Sequence, residues 1–282
     1  MSRPPTFTPP PCAHARQLRT ARGDFAVLDA SPPTAPRGTA LLLPGYTGSK
    51  EDFIALLEPL STAGYRTVAV DGRGQYETEG TDHQETYAQG ELAHDVLAQA
   101  AALRAGGEET VHLLGHSLGG QIARAAVLLD ASPFRSLTLM SSGPAQVTEA
   151  QQLKVKMLSD ALATLSMAEV WEAMRVLDPP EDAATDGEAL RGRWLRHQPA
   201  QLIATGRQLA TEPDRVAELT AVQLPLHVLS GERDDTWPVP LLDEMAQRLG
   251  ARRTRIAGAE HSPNTDRPEQ TAAALVAFWD SL

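Results

Sequence analysis

Ser117 lies in Gly115-His116-Ser117-Leu118-Gly119-Gly120, between the apolar run Val111 to Leu114 and an amphipathic stretch from Gln121 to Leu129. An apolar run of strand length, a glycine-bounded serine and a helical pattern read together as strand, sharp turn and helix, with Ser117 at the turn. A serine on so tight a turn takes a strained backbone conformation. The positions two before and two after it must then be small, or strand and helix collide. Gly115 and Gly119 meet that need. The turn lifts the hydroxyl clear of the sheet, and the Leu118 N–H, at the start of the helix, points to where an oxyanion would form. The pattern is that of a serine nucleophile elbow.

A serine is a poor nucleophile near neutral pH without a base in hydrogen-bond reach and a carboxylate to orient that base. The acid candidate lies in Ser230-Gly231-Glu232-Arg233-Asp234-Asp235-Thr236-Trp237-Pro238, directly after a strand-like run, with Asp234 as the choice and Asp235 as the reserve. The base candidate is His261 in Gly258-Ala259-Glu260-His261-Ser262-Pro263. Among the eight histidines, His112 and His227 fall inside expected strands and His94 and His197 on helices, whereas His14 and His83 sit in exposed-looking segments. His116 neighbours the serine, but adjacency along a tight turn points its ring away from the hydroxyl. Only His261 follows a strand end.

These loops need a sheet to hold them. Residues 16–30 read as an antiparallel hairpin turning at Arg22-Gly23-Asp24. Strands are expected at Thr39 to Leu43, Arg66 to Asp71, Val111 to Leu114, Ser136 to Met140, Leu226 to Ser230 and Arg252 to Ile256. Helices fall between them, at about 51–63, 86–104, 121–129, 239–249 and 268–278. The repeat of strand, loop and helix implies a mainly parallel α/β sheet with functional loops at the strands' carboxyl ends. From about 145 to 220 the pattern turns wholly helical, broken in the middle by Asp178-Pro179-Pro180. This segment reads as a helical cap inserted into a core made of 16–144 and 221–282, with 1–15 as a proline-rich arm.

At this point the chain resembles the α/β-hydrolase family, from about residue 20 to the end. Gly115 to Gly120 is similar to its elbow, Gly231 to Pro238 to its acid loop and His261-Ser262-Pro263 to its histidine loop. The order Ser, Asp, His also matches. The resemblance implies Ser117 as nucleophile, His261 as base and then acid, and Asp234 as orienter. It further implies an oxyanion hole from the backbone N–H groups of Leu118 and Tyr46, the latter because Pro44-Gly45-Tyr46-Thr47-Gly48 aligns with the family's HGxxG-like loop. Pro44 replaces the usual histidine there, and Arg73-Gly74-Gln75-Tyr76 stands where many members carry RGHG. The expected activity is hydrolysis of a carboxylic ester, lactone or thioester without a cofactor. Acyl transfer, C–C bond hydrolysis and a non-catalytic ligand-binding role remain as alternatives.

Trp171, Trp194, Trp237 and Met157 are candidates for an apolar pocket over the serine; the same residue types also serve simply to pack cap against core. The 282 residues suffice for one large α/β domain with an insertion. A formal net charge of −11 opposes nucleic acid and anionic membranes as partners. Cys12, the single cysteine, rules out an intrachain disulfide and a cysteine-based metal site. The N-terminus carries no apolar signal-like core and no stretch reaches membrane-spanning length, so a cytoplasmic location is expected.

Overall fold

The computed structural model describes residues 3–105, 107, 110–177 and 187–282. The break expected at Asp178-Pro179-Pro180 lies outside them. Among the described residues, eight strands form one sheet in the order β1-β2-β4-β3-β5-β6-β7-β8. At its edge, β1 (Ala13–Thr20) and β2 (Gly23–Ala30) pair as an antiparallel hairpin, and β2 pairs antiparallel with β4 (Tyr65–Val70). The remaining ladders, through β3 (Gly38–Leu43), β5 (Val111–His116), β6 (Phe134–Met140), β7 (Leu226–Gly231) and β8 (Arg252–Ile256), are parallel. The hairpin differs from expectation in two places. Thr20 pairs with Gly23, so Ala21 and Arg22 make the turn, and Ala13 to Ala15 pair with Ala30 to Leu28 rather than belonging to the arm.

Strands β3 and β5 are apolar without alternation because helices cover both faces of the sheet. One face holds α2 (Gln89–Ala105), α3 (Leu118–Leu129) and α9 (Val239–Leu249), whose Val96, Ala126 and Met245 join Leu41, Leu113 and Val228 in one core cluster. The other holds α1 (Ile54–Thr62) and α10 (Pro268–Trp279), whose Leu57 and Phe278 pack with Leu42, Leu114 and Leu229. His112 and His227 are structural, as their strand positions suggest. His112 bonds Ser136 Oγ at 2.8 Å and stacks on Trp279, and His227 bonds Thr254 at 2.9 Å. Burial holds both far below the usual imidazole range, near 4 and 3.

The chain leaves β3 toward β4 on one side and β5 toward β6 on the other. The crevice at the carboxyl ends of β3 and β5 is therefore the switch point at which open α/β sheets bind ligands. Between β6 and β7 run α4 (Glu149–Leu162), α5 (Met167–Leu177), α6 (Gly187–Arg196), α7 (Pro199–Thr211) and α8 (Val216–Thr220). Among the described residues, the first four follow one another with no strand between them, as a helical insertion between β6 and α8. Val216 and Leu219 of α8 instead pack into the main core cluster, so α8 belongs with the sheet.

Candidate active site

Ser117 is the single residue between β5 and α3, at φ 53° and ψ −118°. That conformation costs about 1–3 kcal/mol in a residue with a side chain. Its surroundings hold it there. The Ser117 N–H donates to the Met140 carbonyl and the Gly120 N–H to the Ser117 carbonyl, each at 2.9 Å. A Cβ on Gly115 would strike the backbone of Gly119 and Gly120, and one on Gly119 the carbonyls of Leu43 and Pro44.

Past β8, His261 places Nε2 3.1 Å from Ser117 Oγ and Nδ1 3.0 Å from both carboxylate oxygens of Asp234. Asp234, in the loop after β7, has a fully buried side chain, and its Oδ1 also accepts from the Thr236 N–H at 2.9 Å and the Trp237 N–H at 3.1 Å. The carboxylate is thus fixed before the imidazole arrives. Asp235 turns outward, 71% exposed, and bonds Gln151 at 2.8 Å. His116 points away from the hydroxyl, and its Nε2–H donates to the His261 carbonyl at 2.9 Å. Burial, reinforced by the neighbouring His261, drives His116 down to about 4, so near neutral pH it is an uncharged prop under the histidine loop.

The loop after β3 brings Gly45 against the serine: a Cβ there would lie 3.2 Å from Ser117 Cβ. The phenol of the next residue, Tyr46, donates to the Leu202 carbonyl of α7 at 3.0 Å. Beyond it, buried Arg193 of α6 bonds Asp52 at 2.8 Å, and His197 Nε2 lies 3.0 Å from the Gly48 carbonyl oxygen. The Lys50 ammonium sits among Asp71, Glu51 and Glu77 at 2.7–2.9 Å. Burial works against that charge, but Asp71 and Glu51 outweigh it and hold Lys50 above its usual range.

Ser117 and His261 open onto a cavity of about 390 Å³. Tyr46, Val147, Val155 and Leu209 give it an apolar wall; Gln151, Lys154, Asp235 and Thr236 give it a polar one. None of the four expected pocket residues lines it. Trp171 and Trp194 are buried inside the insertion with Leu162, Met167 and Leu190, and the Trp194 indole N–H donates to the Met167 carbonyl at 2.7 Å. Trp237 is wholly buried, its indole N–H on the Ala145 carbonyl at 2.9 Å, where it supports the start of the insertion. Met157 is 59% exposed because α4 turns Val155 and Leu162, seven residues apart, inward, and a residue two beyond Val155 falls on the opposite side. That seven-residue spacing was the available signal for Val155.

Comparison with known proteins decides the family. The sequence profile of the Alpha/beta hydrolase family matches residues 40–274, a span that contains Ser117, Asp234 and His261. The chain belongs to the alpha/beta hydrolase family. It is similar to a pimeloyl-[acyl-carrier protein] methyl ester esterase from Aeromonas hydrophila, 31% identical over 57% of this chain and 67% of that one. It is also similar to a 2-hydroxy-6-oxononadienedioate/2-hydroxy-6-oxononatrienedioate hydrolase from Cupriavidus pinatubonensis, 28% identical over 70% and 69%. A thermophilic esterase from Thermogutta terrifontis shares the alpha/beta hydrolase fold at a TM-score of 0.74, with 20% identity over 95% of this chain and 99% of that one. Among the described residues, no helix is long and apolar enough to cross a membrane.

Proposed function

We propose that this alpha/beta hydrolase cleaves a small neutral carboxylic ester, lactone or thioester through an acyl-enzyme on Ser117. The observation that carries the reading is the hydrogen-bonded line from Ser117 through His261 to buried Asp234, opening on the cavity. In this mechanism His261 Nε2 takes the hydroxyl proton as Ser117 Oγ attacks the carbonyl carbon. The backbone N–H groups of Leu118 and Tyr46 receive the oxyanion, and His261 returns the proton to the leaving group. Water then repeats both steps against the acyl-enzyme. Asp234 holds the Nδ1–H tautomer and stabilises the imidazolium without taking the proton.

Cavity size and charge support the substrate class. About 390 Å³ stands near the lower end of ligand sites, which run from roughly 300 to 1,000 Å³. A dianionic substrate, as the name of the Cupriavidus relative's dioate implies, fits less well. Among the lining residues Lys154 is the cation, it lies 3.9 Å from Asp235, and Asp52 adds a second carboxylate.

Hydrolysis of p-nitrophenyl esters from acetate to dodecanoate tests the proposal, run beside labelling with a fluorophosphonate. Turnover is expected to peak at or below hexanoate and to fall at least about tenfold by dodecanoate, with the label on Ser117. A folded protein that neither hydrolyses nor labels would instead be a ligand-binding member of the fold. The two neighbouring acids separate in the same assay. Asp234→Asn should lower kcat by about 10⁴-fold, since it spoils the imidazole tautomer, whereas Asp235→Asn should stay within about threefold. The reverse order would assign the orienting role to Asp235.

A further inference from the structure

We infer that Gln75 is a positioning residue that sets the oxyanion hole by fixing the peptide between Gly45 and Tyr46; this rests on the serine-hydrolase reading above. Gln75 is buried in the loop after β4, and its carboxamide is held at both ends. Oε1 accepts the Gly72 N–H at 2.9 Å, which leaves the NH2 group to donate to the Gly45 carbonyl at 3.0 Å. The Gln75 N–H in turn donates to the Gly72 carbonyl at 2.9 Å, so the side chain is pinned to its own turn before it reaches across to the neighbouring strand's loop.

The bonded atom matters. In a planar trans peptide the carbonyl of one residue and the N–H of the next point in opposite directions. Holding the Gly45 oxygen toward Gln75 therefore aims the Tyr46 N–H to the other side of that peptide, and Gly45 abuts Ser117. If the plane rotates, the donor leaves the oxyanion and the carbonyl oxygen turns toward it. The Gly48 N–H also reaches the Gly45 oxygen, at 3.1 Å, but it belongs to the same loop and moves with it. Among the described residues, Gln75 is the tie to that oxygen from outside the loop. Its effect belongs to the transition state, where the oxyanion exists, and not to ground-state binding.

Gln75→Met keeps length and burial and removes the donor. On the best p-nitrophenyl ester, kcat should fall about 10–100-fold, less than the loss of a whole oxyanion donor, while KM stays within about twofold. A trifluoromethyl ketone supplies the readout that a general structural defect would not move selectively. Ser117 adds to its carbonyl carbon, the hydroxyl proton passes to His261, and the ketone oxygen becomes the oxyanion. Its inhibition constant should rise by the same factor as kcat falls. Gln75→Asn, which keeps a carboxamide but stops one methylene short of Gly45, should behave alike and carries the test if Gln75→Met does not fold. Gln75→His, with a ring N–H at similar reach, should recover most of the rate. Unchanged kcat in a folded Gln75→Met or Gln75→Asn, or lost kcat with unchanged ketone inhibition, overturns the inference. A wild type that neither hydrolyses esters nor binds the ketone overturns the serine-hydrolase reading itself, and this inference with it.

Discussion

Ser117→Ala is expected to lower kcat/KM on the best ester by about 10⁴–10⁶-fold, with His261→Ala in the same range and the double variant scarcely worse than either. The lack of additivity is the informative part. In the proposed mechanism Ser117 Oγ and the imidazole, 3.1 Å apart, act in one proton transfer, so once either is gone the other has nothing to act on. On the same proposal the residual rate would belong to the oxyanion donors and to binding in the cavity, both of which each variant keeps. Substrate affinity should accordingly change little, as the lost interaction forms only on the way to the transition state. Steady-state kinetics on the three variants, with the spontaneous hydrolysis subtracted, read the cycle directly. Multiplying effects in the double variant would mean that the two groups work independently, which the proposed mechanism forbids.

The parts of this site that were legible beforehand are those in which geometry forces residue type. A serine between a strand and a helix needs small neighbours, and Gly115 and Gly119 announce it; parallel strands buried on both faces need unbroken apolar runs, and Leu41 to Leu43 and Leu113 to Leu114 supply them. Asp234 and Asp235 are chemically identical neighbours, and what separates them is the turn at Thr236 and Trp237, whose N–H groups close on Asp234. The tryptophans misled because a large apolar side chain signals burial without saying in which cluster: Trp171 and Trp194 fill the insertion's own core. Gln75 showed in the sequence only as the residue standing in place of the histidine of RGHG, with no role attached, since its partners are a backbone carbonyl and a backbone N–H that almost any residue at 45 or 72 offers.

Arg124→Met is expected to destabilise the fold by about 3–5 kcal/mol, a drop on the order of 10 °C in Tm. Arg124 lies on α3, two turns beyond Ser117, and is almost wholly buried. Its Nη1 donates to the carbonyls of Gly143 and Pro144, at 3.2 and 2.8 Å, where the chain leaves β6 for the insertion. Its Nη2 donates to Glu212 at 2.6 Å, where the chain returns from α7. Glu212 is tied in further, through its side chain to Gln89 at 2.7 Å and through its carbonyl to the Gln146 N–H at 2.8 Å. One guanidinium therefore clasps both crossings of the insertion to the helix that begins at the candidate nucleophile. Burial holds Arg124 below its ordinary range, with Glu212 pulling the other way, so the charge is kept in place by its partner at a desolvation cost. Removing Arg124 alone strands a buried carboxylate and two carbonyls. Removing both charges, as Arg124→Met with Glu212→Leu, relieves the stranded carboxylate, so most of the lost stability should return in the double variant. Thermal unfolding of the two single variants and the pair at one pH checks this. A shift under about 2 °C for Arg124→Met would reduce the clasp to the worth of a surface ion pair. Recovered stability without recovered kcat would mean that the arginine sets where the insertion sits over Ser117, beyond holding it on.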